Sequence, residues 1–184
     1  MTRLVGISGS LRKNSLNSAL LRSAVPLVPD GTTLLLASIG AVPLYNADLD
    51  VDGGPAAVQD LRQQVGDADG LLIATPEYNY GIPGVLKNAI DWLSRPAFKS
   101  VLAGKPVAII GASPSVVGTA RAQAQLKQVL LGTLSELFPY PEVVVGKAYE
   151  RIRDGQLTDD ETRELLRTML GRYIDWNRTL VGSL

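Results

Sequence analysis

Residues 3–17 read "RLVGISGSLRKNSLN". The opening "RLVGIS" is an apolar run with little alternation, which suits a strand covered on both faces and hence a parallel sheet. The next nine positions hold a Gly, two Ser, an Arg, a Lys and two Asn. A helical pattern then starts at Ser15 and stops at Pro26, where the ring removes a donor. Strand, donor-rich loop and helix in that order open an alternating α/β chain.

Four further runs repeat the pattern: "TTLLLAS" (32–38), "DGLLIAT" (69–75), "KPVAIIG" (105–111) and "PEVVVG" (141–146). Between them the spacing predicts helices over about 55–66, with Pro55 at the start and Gly66 near the end, and over about 83–94, opened by Pro83. Val85, Leu86, Ala89, Ile90 and Leu93 give the latter an apolar face. A further helix is expected over about 118–137. The last starts at "TDDE", where Thr158 and Glu161 predict a capping box, and runs to about 181. Such alternation implies right-handed crossovers with helices on both faces of one sheet, and five strands favour the order 2-1-3-4-5. The expectation is an α/β three-layer sandwich around a five-stranded parallel sheet, one domain over residues 1–184. One long irregular piece, "IGAVPLYNADLDVDGG", follows strand two and is placed to cover part of a site. Trp92 and Phe98, around the end of the third helix, read equally well as core or as an interface anchor.

Composition narrows the chemistry. Eighteen basic residues balance eighteen acidic ones, and they are scattered rather than gathered in a basic stripe, so nucleic acid is not the expected partner. The chain contains no Cys and no His. Disulfides, thiolate nucleophiles, Ser-His-Asp triads and HExxH zinc sites are therefore excluded, and neither a catalytic side chain nor a metal site is expected. An enzyme of this composition relies on a cofactor for its reactive atoms. No apolar run approaches the length of about 18 residues that a membrane helix needs, and "MTR" leads straight into a strand, so the expectation is a soluble cytoplasmic protein without a membrane partner.

In an open sheet of order 2-1-3-4-5 the ligand crevice lies beyond the carboxyl ends of strands one and three, where loops one, three and four meet. The first loop leads into a helix N-terminus, which favours an anion. Ser10, Ser15 and Asn17 add donors and Arg12 can fork onto a phosphate, although Ser15 also fits a plain N-cap. "LAGKP" puts Pro where a P-loop needs Ser or Thr, and "GISGSL" is not a GxGxxG turn, so a terminal monophosphate fits better than a nucleoside triphosphate or a pyrophosphate. The loop "TPEYNYGIPG" (75–84) combines Tyr78 and Tyr80 with Glu77, Asn79, two Gly and two Pro. It suits a flat ligand with hydrogen-bonding edges; the alternative is that the two rings roof the core and Glu77 is solvated. The third loop, "GASPSVVGTARAQ" (111–123), brings Ser113, Ser115 and Gly118 to the same edge. A monophosphate at one end and a heterocycle at the other describe FMN.

"GSLRKNSLN", "PLYNADLD" and above all "PEYNYGIPGVLKNAIDWLSR" (76–95) resemble the NADPH-dependent FMN reductase family of flavodoxin-like proteins, which includes bacterial quinone, chromate and azo-dye reductases. The resemblance implies that Ser10, Arg12, Ser15 and Asn17 bind the FMN phosphate. It implies that Pro76, Glu77, Tyr78, Asn79 and Tyr80 line the isoalloxazine, with Ser113 near its far edge. NADPH or NADH would supply a hydride and a small-molecule acceptor would then take its place, in ping-pong fashion. Main-chain N–H groups around 77–80 would steady the charge of the reduced ring. A homodimer or homotetramer is also implied. A flavodoxin-type one-electron carrier would bind FMN by the same physics, but such carriers dock through a strongly acidic face, which the neutral balance of this chain does not favour.

Overall fold

A computed structural model describes residues 1–181. The elements are β1 (Thr2–Ser8), α1 (Leu16–Ala24), β2 (Thr32–Ala37), α2 (Ala56–Gly66), β3 (Gly70–Ala74), α3 (Gly84–Leu93) and β4 (Pro106–Ala112). They are followed by α4 (Ala120–Leu131), β5 (Glu136–Leu137), β6 (Val143–Val145), α5 (Ala148–Arg151), β7 (Ile152–Arg153), β8 (Gln156–Leu157) and α6 (Asp160–Val181). The main sheet is parallel in the order β2-β1-β3-β4-β5, with β6 also on β4. β3 is central, and all five of its residues are buried, as a strand covered on both faces requires.

Period-two alternation sends the strand side chains into two cores. Leu4, Leu72 and Ile110 pack with α1 and α6 through Leu20, Leu166, Leu170 and Ile174. Val5, Ile7, Leu71 and Ile73 pack on the other side with α2, α3 and α4 through Leu61, Leu86, Ile90 and Leu126. The three-layer sandwich and the order 2-1-3-4-5 are as the sequence predicts.

Three local expectations are corrected. The fifth strand, expected over 141–146, is two short pieces, β5 and β6, both on the edge of β4. "FPYPE" (138–142) separates them, because Pro139 and Pro141 have no N–H to donate to a ladder. The helix expected over 118–137 ends at Leu131; Gly132 caps it and Leu134 turns left-handed (φ 62°), which frees residues 136–137 to pair with β4. The capping box at the last helix is replaced by Asp159, whose Oδ1 accepts from Thr162 N at 2.9 Å, while Thr158 Oγ1 donates to Arg151 O.

The irregular segment after β2 lies on α3. Pro43 O accepts from Asn88 Nδ2 and Trp92 Nε1, each at 2.8 Å, and Tyr45 N donates to Asn88 Oδ1 at 2.7 Å. The Tyr45 ring meets Trp92 edge-on at 4.9 Å. Trp92 is fully buried and anchors this strap, which decides between its two readings in favour of core; Phe98 is exposed.

Candidate functional site

The loops after β1, β3 and β4 emerge from the carboxyl ends of adjacent strands, at the point where strand order reverses. Each is positioned by a different device.

In the first loop, Gly9 N donates to Ala74 O at 2.8 Å, tying the end of β1 to β3. Ser15 Oγ accepts from Ser18 N at 3.1 Å, so Ser15 is the N-cap of α1. Asn17 is buried, and its side chain makes a reciprocal pair with the main chain of Ala112, Nδ2 to O and N to Oδ1, both at 2.8 Å. It therefore joins the start of α1 to the end of β4. The groups it has left for an anion are its main-chain N–H and one Nδ2 hydrogen. Ser10 Oγ accepts weakly from Arg12 N at 3.4 Å and keeps its own hydrogen. Among the described residues the N–H groups of Leu11, Lys13, Asn14, Leu16 and Asn17 have no acceptor, and the Arg12 side chain has no partner. So many unspent donors around a helix start form an anion cradle, and the fit to a phosphate monoester is direct.

The second loop is a two-residue reversal. Tyr78 N donates to Gly81 O and Gly81 N to Tyr78 O, both at 3.0 Å, around Asn79 (φ 50°) and Tyr80 (φ 66°). Two left-handed residues make this a type I′ turn, and a Tyr in the second position carries strain that Gly would not. Gln125 Oε1 accepts from Ile82 N at 2.7 Å and pins the exit of the turn. Pro76 is buried at the end of β3. Tyr78 and Tyr80 are 47 % and 70 % exposed, so neither roofs the core. Tyr78 N–H is spent inside the turn, leaving those of Glu77, Asn79 and Tyr80 without an acceptor among the described residues.

Glu77 is not solvated. Its Oε2 accepts from Arg121 N (3.0 Å) and Ala122 N (3.1 Å), and its Oε1 from Arg121 Nε (2.9 Å). α4 has no acidic residue in its first turn and no side-chain bond from its own N-cap, Thr119, so Glu77 supplies the missing cap from the neighbouring loop. Burial opposes the charge on Glu77. The N–H of Ala122 and the side chain, charge and N–H of Arg121 outweigh it and hold the pKa below the usual value. The Arg121 guanidinium in turn lies 4.1 Å from the centroid of the Tyr80 ring. Arg121 and Gln125 had no place in the sequence reading; the signal that points to them is a helix start without its own cap facing a loop carboxylate.

In the third loop Ser113 N donates to Val145 O, and Ser113 Oγ accepts from Ser115 N at 3.2 Å. This tight turn leads to Thr119, which is buried against Gly111. A Cβ on Gly111 would overlap Thr119 Oγ1 and stand 2.7 Å from Thr75 O, so only glycine lets the second and third loops approach this closely. Ser113 sits at the same sheet edge as Ser10, Arg12, Ser15 and Pro76–Tyr80, though its hydroxyl is engaged within its own turn.

The chain is similar to known proteins over nearly its whole length. A family model described as NADPH-dependent FMN reductase matches residues 2–150. The chain is 48 % identical over 181 residues to an NAD(P)H-dependent FMN reductase of Pseudomonas aeruginosa, covering 98 % of this chain and 97 % of the relative. It is 42 % identical over 177 residues to a 2-hydroxy-1,4-benzoquinone reductase of a Burkholderia species, covering 96 % of each. The structure of FerB, a flavoenzyme NAD(P)H:(acceptor) oxidoreductase from Paracoccus denitrificans, superposes with a TM-score of 0.89 at 37 % identity, over 97 % of this chain and 98 % of that one. With its flavodoxin-like sheet and a crevice whose donors suit a flavin phosphate, the chain belongs to the NADPH-dependent FMN reductase family and is an oxidoreductase that uses FMN and NAD(P)H.

Proposed function

We propose that the protein is an NAD(P)H:acceptor oxidoreductase in which donor and acceptor occupy one open flavin face in turn, the acceptor being a quinone, a free flavin, an azo compound or a metal oxyanion. When bound, FMN would supply the redox chemistry: acceptance of a hydride from the dinucleotide and its delivery to the acceptor. The observation that carries the reading is the pairing, across one switch point, of an anion cradle whose N–H groups are unspent with a strained, exposed Tyr-bearing turn.

The roles follow from what each group has free. Ser10, Arg12 and Ser15 donate to the phosphate, and Asn17 offers its main-chain N–H while fixing the loop to β4. Pro76, just beyond β3, and the N–H groups of Glu77, Asn79 and Tyr80 would hold the ring, the N–H groups steadying the negative charge of its reduced form. Tyr78, Tyr80 and Ser113 would complete the surface that holds the ring. None of these side chains needs to move a proton, so a site without His suffices. Exposure of the second loop is what lets two substrates alternate. We further place the activity in the cytoplasm, where the dinucleotide pool is reduced, and expect a homodimer or homotetramer, which gel filtration checks.

Anaerobic mixing of the FMN-loaded protein with NADPH tests the reading. Rapid bleaching of the flavin followed by reoxidation with benzoquinone, with parallel-line kinetics, is expected. A flavin that stays oxidised until a separate reductase is added would assign the chain to the electron carriers instead.

A further inference from the structure

Of the eighteen Lys and Arg side chains, Arg12, Lys13, Arg22, Lys99, Lys147 and Arg153 make no hydrogen bond, ion pair or ring contact among the described residues. The others are spent on carboxylates, on main-chain carbonyls or on aromatic rings. All the unspent ones except Lys99 lie on the first loop, on α1 or on the segment 147–153. The unpaired cations are thus gathered on the first loop, α1 and the 147–153 segment rather than spread over the surface, with the carboxylates of Glu150 and Asp154 also unpaired among them within the described residues.

Two of these cations stand in a groove of about 580 Å³ that starts at the cradle and runs along α1. One wall is Lys13 and Asn14 followed by Leu16, Ala19 and Arg22 at helical spacing; the other includes Tyr149, Ile152, Asp154 and Gly155. From Ser15 to Arg22 the helix rises about 10 Å. Asp154 (φ 49°) and Gly155 (φ 75°) form the turn between β7 and β8, and Arg22 Nη2 lies over it, 3.5 Å from where a Cβ on Gly155 would stand. Tyr149 is 58 % exposed and has no ring partner among the described residues. The volume is that of a small-molecule site. Its chemistry is a flat aromatic, two cations and one carboxylate, the last of which can accept from a hydroxyl but not from a phosphate.

We propose that this groove takes the adenosine end of the reducing dinucleotide. Arg22 and Lys13 meet the 2′-phosphate of NADPH, Tyr149 lies against the adenine, and Asp154 accepts from a ribose hydroxyl. The assignment rests on the functional reading above, in which the nicotinamide reaches the crevice. It adds the residues that recognise the far end of the donor and makes Arg22 the residue that favours NADPH over NADH.

The test uses FMN-loaded protein, so that the cradle is filled, with adenosine 2′,5′-bisphosphate as calorimetric probe and with KM for NADPH and NADH as kinetic readouts. The wild type is expected to bind the bisphosphate. Arg22→Ala should weaken that binding and raise KM for NADPH by about 10- to 100-fold, as loss of a charge-assisted contact does, while KM for NADH moves by less than about threefold. Lys13→Ala should act in the same direction, and Lys99→Ala should change neither KM. An unaltered ratio of the two KM values in Arg22→Ala, or no bisphosphate uptake by the wild type, would overturn the assignment. A wild-type flavin that neither dinucleotide reduces would instead remove the functional reading on which it rests, so the two failures are told apart.

Discussion

At the amino end of the sheet, charge and polarity are consumed by the protein itself. Arg3 N donates to Asp69 Oδ2 at 2.7 Å and Arg3 Nη2 to Asp67 O. Lys105 Nζ donates to Ala68 O and Gly66 O, with its pKa lowered by burial against the opposing pull of Asp69 and Asp67. Asn177 Nδ2 closes on Asp69 O at 3.0 Å. Tyr173, fully buried, places its hydroxyl 2.9 Å from both Leu71 O and Pro106 O, and burial raises its pKa so that it stays protonated. At the carboxyl end, main-chain N–H groups and Arg12 are left open, Tyr78 and Tyr80 are exposed, and one turn is strained. One end holds the fold and the other keeps donors in reserve for a ligand.

The sharpest way to break that contrast is Asn17, which lies at the open end yet acts as a strut. Asn17→Ala orphans a buried N–H and a buried C=O of Ala112, so a loss of about 2–4 kcal/mol in urea unfolding is expected, together with weaker FMN binding. A normal unfolding midpoint would show that the α1–β4 link carries nothing. Next is Arg12→Ala, expected to weaken FMN about 10- to 100-fold by fluorescence titration with an unchanged melting temperature. The mirror experiment is Tyr173→Phe: roughly 1–2 kcal/mol lost on unfolding, with flavin affinity intact. An effect on flavin affinity there would merge the two ends.

Glu77 sharpens the comparison through pH. Its folded pKa lies below the ordinary value of 4.5, so its contribution is present above that value and fades as pH falls through the folded pKa. Glu77→Gln should flatten that acid limb of stability; an identical limb in the variant would show that the cap on α4 does not titrate. The smallest expected effect is that of Tyr80→Gly. Relief of a left-handed residue gains about 1 kcal/mol and loss of the Arg121 contact gives back roughly 0.5–1, so stability should move by less than about 1 kcal/mol. A loss above about 2 kcal/mol would mean that the turn is not strained.

The strand order and both cores were legible because continuous apolar runs and helical periodicity report burial directly. The loops were legible as donor-rich, but not in their wiring. Nothing local marks Asn17 as the partner of Ala112, or Glu77 as the cap of α4, since both contacts join residues far apart in the chain. The end of α4 is not legible because "LLGTLSEL" continues the helical pattern past Gly132, and tertiary pairing with β4 outweighs propensity there.

Between β5 and β6 the sheet margin offers a partner strand almost no evenly spaced amides, because Pro139 and Pro141 fall inside the five-residue gap. A second molecule therefore finds no template along that flank on which to continue the ladder, and copies crowded together have one route to edge-to-edge aggregation fewer.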